Sequence, residues 1–108
     1  MLRALYDSID AAADAVARLM AQPATPSALE FMDARAIELL RTRAGLALPT
    51  GAQALLLIEA DGSAIALGEA LAAIAAAANG QGCLELRQSA NASESSELWA
   101  ARKALSPI

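Results

Sequence analysis

The sequence predicts an α+β fold: a four-stranded antiparallel sheet in the ferredoxin-like split βαβ arrangement, with helices mainly on one face. Three observations lead there. Short apolar runs and helix-period stripes alternate along the chain. Turn and cap residues punctuate nearly every boundary between them. The order is strand, helix, strand, helix, repeated once, so two strand-helix-strand units remain when the helices after the second and fourth strands are set aside. With 108 residues the chain suffices for one domain with one core.

"LRALYD" at 2–7 alternates and reads as a weak first strand. Asp7 or Ser8 then caps a helix in which Ile9, Ala12, Ala13, Val16, Leu19 and Met20 form a stripe. "PATP" ends it, because neither proline can continue the ladder. "SALEFMD" is the second strand, with Leu29 and Phe31 on one side and Glu30 and Met32 on the other. Asp33 caps an added helix, "ARAIELLRTR", with Ile37, Leu39 and Leu40 inward and Gly45 as its C-cap. "AQALLLIEADG" is the clearest strand; its run Leu55 to Ile58 suits a central position. Asp61-Gly62 turns the chain and Ser63 caps a helix over 64–78, stopped by Asn79-Gly80. That helix is the most apolar stretch, but Glu69 interrupts it and helix signals bracket it, so it reads as a largely buried helix of a soluble domain. "CLELRQ" alternates, with Leu84 and Leu86 set against Cys83, Glu85 and Arg87. Asn91 and Glu94 have capping-box spacing for a last added helix, about 92–105, which ends before Pro107. In this arrangement the sheet face away from the main helices carries Glu30, Met32, Glu85 and Arg87, and is open to solvent, ligand or another domain.

Composition narrows the chemistry. The chain is 56% apolar, yet only 3% aromatic and rich in alanine, so many close helix contacts replace large anchors. Net charge is −4, with basic residues scattered, which argues against nucleic acid as a partner. There is no histidine, which excludes a histidine-based triad or general base and most zinc sites within these residues. The single cysteine, Cys83, cannot form an internal disulfide and reads as a small buried hydrophobe. The acidic N-terminal stretch lacks a secretory signal pattern, and no segment reads as a membrane span. "ANGQGC" lacks dinucleotide-loop spacing and reads as a helix stop and turn. Glu30 with Asp33, and Glu59 with Asp61, read as strand residues beside a cap or turn.

Trp99, Arg102 and Ser106 fall on one face of the last helix. Arg102 is the best single candidate for chemistry, because its planar fork matches a carboxylate in a bidentate manner. From the residues alone, a solvated arginine beside a core tryptophan stays open as well.

"PSALEFMD", "LLLIEADG" and "ELWAARKALSP", in series after "ALYDSIDAAADAVARL", resemble the C-terminal domain of FAD-linked oxidases. That family includes the glycolate oxidase flavin subunit, D-lactate dehydrogenases and D-2-hydroxyglutarate dehydrogenase. The resemblance spans nearly all 108 residues and agrees with the split arrangement. It implies a piece of the substrate (cap) domain of an FAD-dependent oxidoreductase acting on a small 2-hydroxy acid, of the glycolate or D-lactate type. Flavin would accept hydride from the substrate's C2. FAD would be held mainly by a separate FAD-binding domain, so the piece alone would be inactive and would carry no cofactor. The arginine of "W-x-x-R" grips the substrate carboxylate in such relatives, which assigns that role to Arg102. A hydroxyl one turn later assigns a supporting role to Ser106. The family's metal-binding histidines have no counterpart here. The expected location is cytoplasmic, with a peripheral place at the inner membrane through partner subunits left open, and self-association of the piece is expected. The alternative is a free-standing ferredoxin-like module binding a small ligand or another protein.

Overall fold

A computed structural model describes residues 1–43, 45–60 and 64–88, with the side chains of 64 and 65 left aside. Its elements are β1 (Leu2–Tyr6), α1 (Ile9–Ala21), β2 (Ala28–Asp33), α2 (Ala34–Arg43), β3 (Ala54–Glu59), α3 (Ala64–Ala78) and β4 (Cys83–Gln88). The expected last helix, about 92–105, lies outside the described residues.

The four strands form one antiparallel sheet in the order β2-β3-β1-β4. β1 and β2 therefore run parallel with β3 between them, and β3 and β4 run parallel with β1 between them. That order fits the split βαβ arrangement. α1 and α3 pack together on one sheet face, over Leu2, Ala4, Tyr6, Leu56 and Ile58. α2 takes the opposite face, where Ile37 and Leu40 cover Leu5, Met32, Leu55 and Leu57. The second face is thus partly closed, at the end of the sheet where α2 packs.

Local signals explain the boundaries. Ser8 Oγ accepts from the Ala11 N–H at 3.0 Å and caps α1. Asp33 Oδ1 accepts from Ala36 N–H at 2.9 Å and caps α2. Gly45, at φ 67°, takes the left-handed turn after α2. Gly82 has φ 85° and no spare room: an added Cβ would lie 2.6 Å from Asp7 Oδ1 and 2.7 Å from Ala11 Cβ.

Four expectations need correction. β1, read as a weak strand, is central, and all five of its residues are buried. The α1 stripe is rotated: Ala11, Ala12, Ala15 and Leu19 are buried, while Ile9, Ala13 and Met20 are exposed. Alanines let this helix approach α3 closely, so the small face packs inward and the larger side chains stay out. α3 is not largely buried; of its described side chains only Ile74 and Ala78 are. Alanine on every side gave no phase to read.

The fourth concerns β4. Leu5 pairs with Glu85 but Tyr6 pairs with Cys83, so Leu84 is an extra residue, a β-bulge. Cys83 and Leu86 therefore share the α1/α3 face, and Leu84 is 44% exposed. In α2, Ile37 and Leu40 are buried and Leu39 only half so.

Candidate functional site

Two polar clusters lie on the sheet, one at each end. Register assembles the first on the second face. Across β2, β3, β1 and β4, one row reads Glu30, Leu57, Arg3, Arg87 and the next reads Met32, Leu55, Leu5, Glu85. The face thus grades from apolar under α2 to charged towards β1 and β4. Glu30, Met32, Glu85 and Arg87 share it, as the alternation predicts.

Its centre is a residue that sequence reasoning missed. Arg3 is only 6% exposed, and its Nε donates to Glu85 Oε2 at 3.1 Å. Its Nη2 reaches the Ala47 carbonyl at 3.4 Å, from the connection that follows α2. A guanidinium buried this far needs both an opposite charge and hydrogen-bond acceptors, and Arg3 has them. Glu30 and Arg87 are engaged in interactions as well. The available signal was an arginine at the second position of β1, flanked by Leu2 and Ala4.

The second cluster lies at the other end, on the α1/α3 face. Tyr6 Oη donates to the Ala78 carbonyl at 2.7 Å, and Arg18 Nε donates to the Ala77 carbonyl at 2.7 Å. Both close the C-terminal end of α3, whose last carbonyls lack helical partners. Arg18 Nη2 is buried without a partner among the described residues. Burial pushes the Tyr6 phenol well above its ordinary range, with the Cys83 charge adding and Arg18 opposing. Burial likewise pushes the Cys83 thiol up, against the backbone groups of Glu85 and Gly80. A raised thiol pKa does not suit a reactive cysteine. Cys83 is half-buried and packs against the core, much as expected.

These shifts set a pH dependence. Both groups are neutral when folded and ionise more easily when unfolded. Their contribution is therefore intact below about pH 8 and is lost as pH rises past the unfolded values, about 8.5 for Cys and about 10 for Tyr. We expect a melting temperature that is flat from about pH 6 to 8 and falls towards pH 11. Tyr6→Phe should cost about 1 kcal/mol at neutral pH, because the Ala78 carbonyl loses its donor, and should flatten the fall above pH 10. An unchanged alkaline slope in that variant would clear Tyr6 of the effect.

A shallow depression lies beside this cluster, lined by Asp7, Ser8, Asp10, Asp14, Gln81 and Gly82. It is acidic and would repel an anionic substrate. Among the described residues, no group of three or more His, Cys, Asp or Glu is placed to hold a metal ion. No helix of the described residues is long and apolar enough to cross a membrane.

A dinucleotide needs backbone N–H groups or cations around its pyrophosphate. At the turn 79–82 the Arg18 side chain fills the space at Gly80, where an added Cβ would lie 2.8 Å from the Arg18 Cζ, and the Asp7 carboxylate closes on Gly82.

Arg102, Ser106 and Trp99 lie outside the described residues. The described arginines can still be sorted. Arg3 is paired with Glu85, Arg18 holds Ala77, and Arg41 holds Glu38 and the Pro49 carbonyl. Arg35 and Arg43 sit on the exposed side of α2. Arg87 is engaged. Carboxylate binding at Arg3 would require displacing an internal acid from a buried guanidinium.

Comparison with known proteins places the sequence in a family. The family model described as FAD linked oxidases, C-terminal domain, matches residues 1–108. A curated relative is the glycolate oxidase subunit GlcD of Bacillus subtilis (strain 168), 46% identical over 61 residues. The match covers 56% of this chain and 13% of that relative's length.

Proposed function

The chain belongs to the family of FAD linked oxidase C-terminal domains, and on that premise we propose that it forms part of the substrate side of an oxidoreductase for small 2-hydroxy acids. The observation that carries this reading is the family match over the whole chain, joined by a relative named as a glycolate oxidase subunit. In the full-length protein FAD would supply the two-electron acceptor, and residues other than those described would hold it.

The part assigned to this chain is recognition. Arg102 grips the substrate carboxylate through two parallel N–H···O bonds, and Ser106, four residues on in the sequence, adds a hydroxyl donor. Such a clamp fixes the acid end, and therefore the orientation of the carbon that bears the hydroxyl. The support for Arg102 is the family motif "W-x-x-R" that it matches; Arg3, the buried arginine of the described sheet face, is held by Glu85 and the Ala47 carbonyl.

The test is anaerobic reduction of the full-length flavoprotein by a panel of substrates. We expect glycolate, D-lactate or a close 2-hydroxy acid to bleach the flavin absorbance, and simple alcohols of equal size not to. Bleaching by alcohols alone would contradict the reading.

A further inference from the structure

Two edges bound the sheet, and they differ. β4 carries a bulge at Leu84 and the exposed polar residues Arg87 and Gln88, devices that discourage further pairing. β2 pairs with β3 alone among the described residues, in an unbroken register, and Ala28–Asp33 contains no proline, glycine or lysine. Its outer row of backbone groups is a template for another strand.

The helical layer stops short of this edge. Leu29 and Phe31 stand opposite Ile58 and Leu56, so they point to the α1/α3 face. Arg18 holds the Ala77 carbonyl and Ala11 lies against the Gly82 turn, which puts α3 on one flank of α1. Ile9, Ala13, Val16 and Met20, spaced by three or four, form the other flank, towards β2. That flank carries no charge, since Asp10 and Asp14 lie further round on the outer side of the helix. Ile9, Met20 and Phe31 are 57%, 55% and 46% exposed. Together they leave roughly 300 Å² of largely apolar surface in water, the size at which such a patch marks an interface.

We propose that the β2 edge and this flank of α1 form a two-fold interface with a second copy of the chain, the two β2 strands pairing antiparallel. The surface is self-complementary in one register. A two-fold axis must pass between a residue and its own copy. Through Phe31, the two phenylalanines meet across the axis, Glu30 faces the partner's Met32, and Leu29 faces the partner's Asp33. Asp33 is exposed and stays at the wet rim, and Arg35 falls beyond the paired span. The two Glu30 side chains become diagonal neighbours about 7–8 Å apart, where water and salt screen much of their repulsion. Through Glu30 they would stand directly opposite, about 5 Å apart. Through Leu29, Met32 and Asp33 would lose their partners; through Met32, the pairing would run into α2 at Ala34. The interface is independent of the substrate proposed above.

Sedimentation and disulfide capture test it. The 108-residue chain should show a reversible monomer–dimer equilibrium, because an interface of this kind is small. Phe31→Lys should raise the dissociation constant about tenfold or more with an unchanged circular dichroism spectrum. Leu84→Lys alters a comparably exposed side chain on the other edge and should stay within about twofold of the parent. Phe31→Cys should oxidise to a symmetric disulfide, because opposed residues of antiparallel strands have Cα atoms about 4.5–5.5 Å apart, within disulfide reach. Leu84→Cys should not, and the half-buried Cys83 is common to both variants. This contrast decides the matter if Phe31→Lys fails to fold. In the full-length protein the Phe31→Cys disulfide should form as well.

A parent chain that stays monomeric at millimolar concentration would overturn the proposal. So would equal weakening by Phe31→Lys and Leu84→Lys, or equal capture of Phe31→Cys and Leu84→Cys. A full-length Phe31→Cys protein that stays monomeric and resists a thiol reagent would show that the rest of its own polypeptide covers the edge, and would overturn the second copy as occupant.

Discussion

Arg102→Lys in the full-length protein is expected to lower kcat/KM for its 2-hydroxy acid by about 1–3 kcal/mol. Lysine keeps the positive charge but presents a point rather than a planar fork, so one of two parallel hydrogen bonds is lost. The loss should fall mainly on KM if the clamp acts equally in ground and transition states. Unchanged kcat/KM on every acid tried would remove Arg102 from the site. Ser106→Ala should cost less, because a neutral hydroxyl contributes about 0.5–1.5 kcal/mol.

Leu56→Ala is the change expected to damage the fold most. Leu56 lies on β3, between Phe31 of β2 and Ala4 of β1, and is fully buried under the two helices. The core cluster it belongs to holds many alanines: Ala4, Ala11, Ala12, Ala15, Ala54 and Ala78. These have no long side chains that could swing into a gap, so the cavity should persist. The expected cost is about 3 kcal/mol, within the usual range for buried leucine. For a chain of this size that lowers the melting temperature by about 12–24 °C. Phe31→Ala provides the contrast. Phe31 is the larger side chain but sits 46% exposed on an edge strand, so its loss should cost about 1 kcal/mol or less. Equal losses in urea unfolding would show that the α1/α3 core is not where this domain's stability resides.

The same small residues explain what the sequence could and could not convey. Strand and helix positions were legible because caps, prolines and glycine turns mark them: Ser8, Asp33, the "PATP" stretch and Asn79-Gly80 all lie at the boundaries they suggest. Strand order followed from the repeated strand-helix-strand pattern. Helix phase did not follow, because alanine occupies every side of α1 and α3, and the few large residues misled. Ile9 and Met20 drew the stripe towards themselves and are 57% and 55% exposed. The central place of β1 was hidden by Arg3, which makes the strand look half-polar although its charge is paired inside. Nothing in "CLELRQ" announces a bulge, since no glycine marks it. The charged face was legible as a set of residues, through alternation, but its ion pair was not. Pairing depends on which strands are neighbours, and that is a property of the whole sheet. Arg102 and Ser106 were singled out by helical spacing, their roles came from family resemblance, and they remain proposals on a segment outside the described residues.

The proposed recognition reduces to a guanidinium meeting a carboxylate, and that contact can be isolated. The measurement is kcat/KM of the full-length enzyme for a 2-hydroxy acid and for its methyl ester, in the parent and in Arg102→Lys. The account predicts a strong preference for the free acid in the parent and a collapse of that preference in the variant, driven by loss on the acid alone. A variant that still distinguishes acid from ester as sharply as the parent would contradict it.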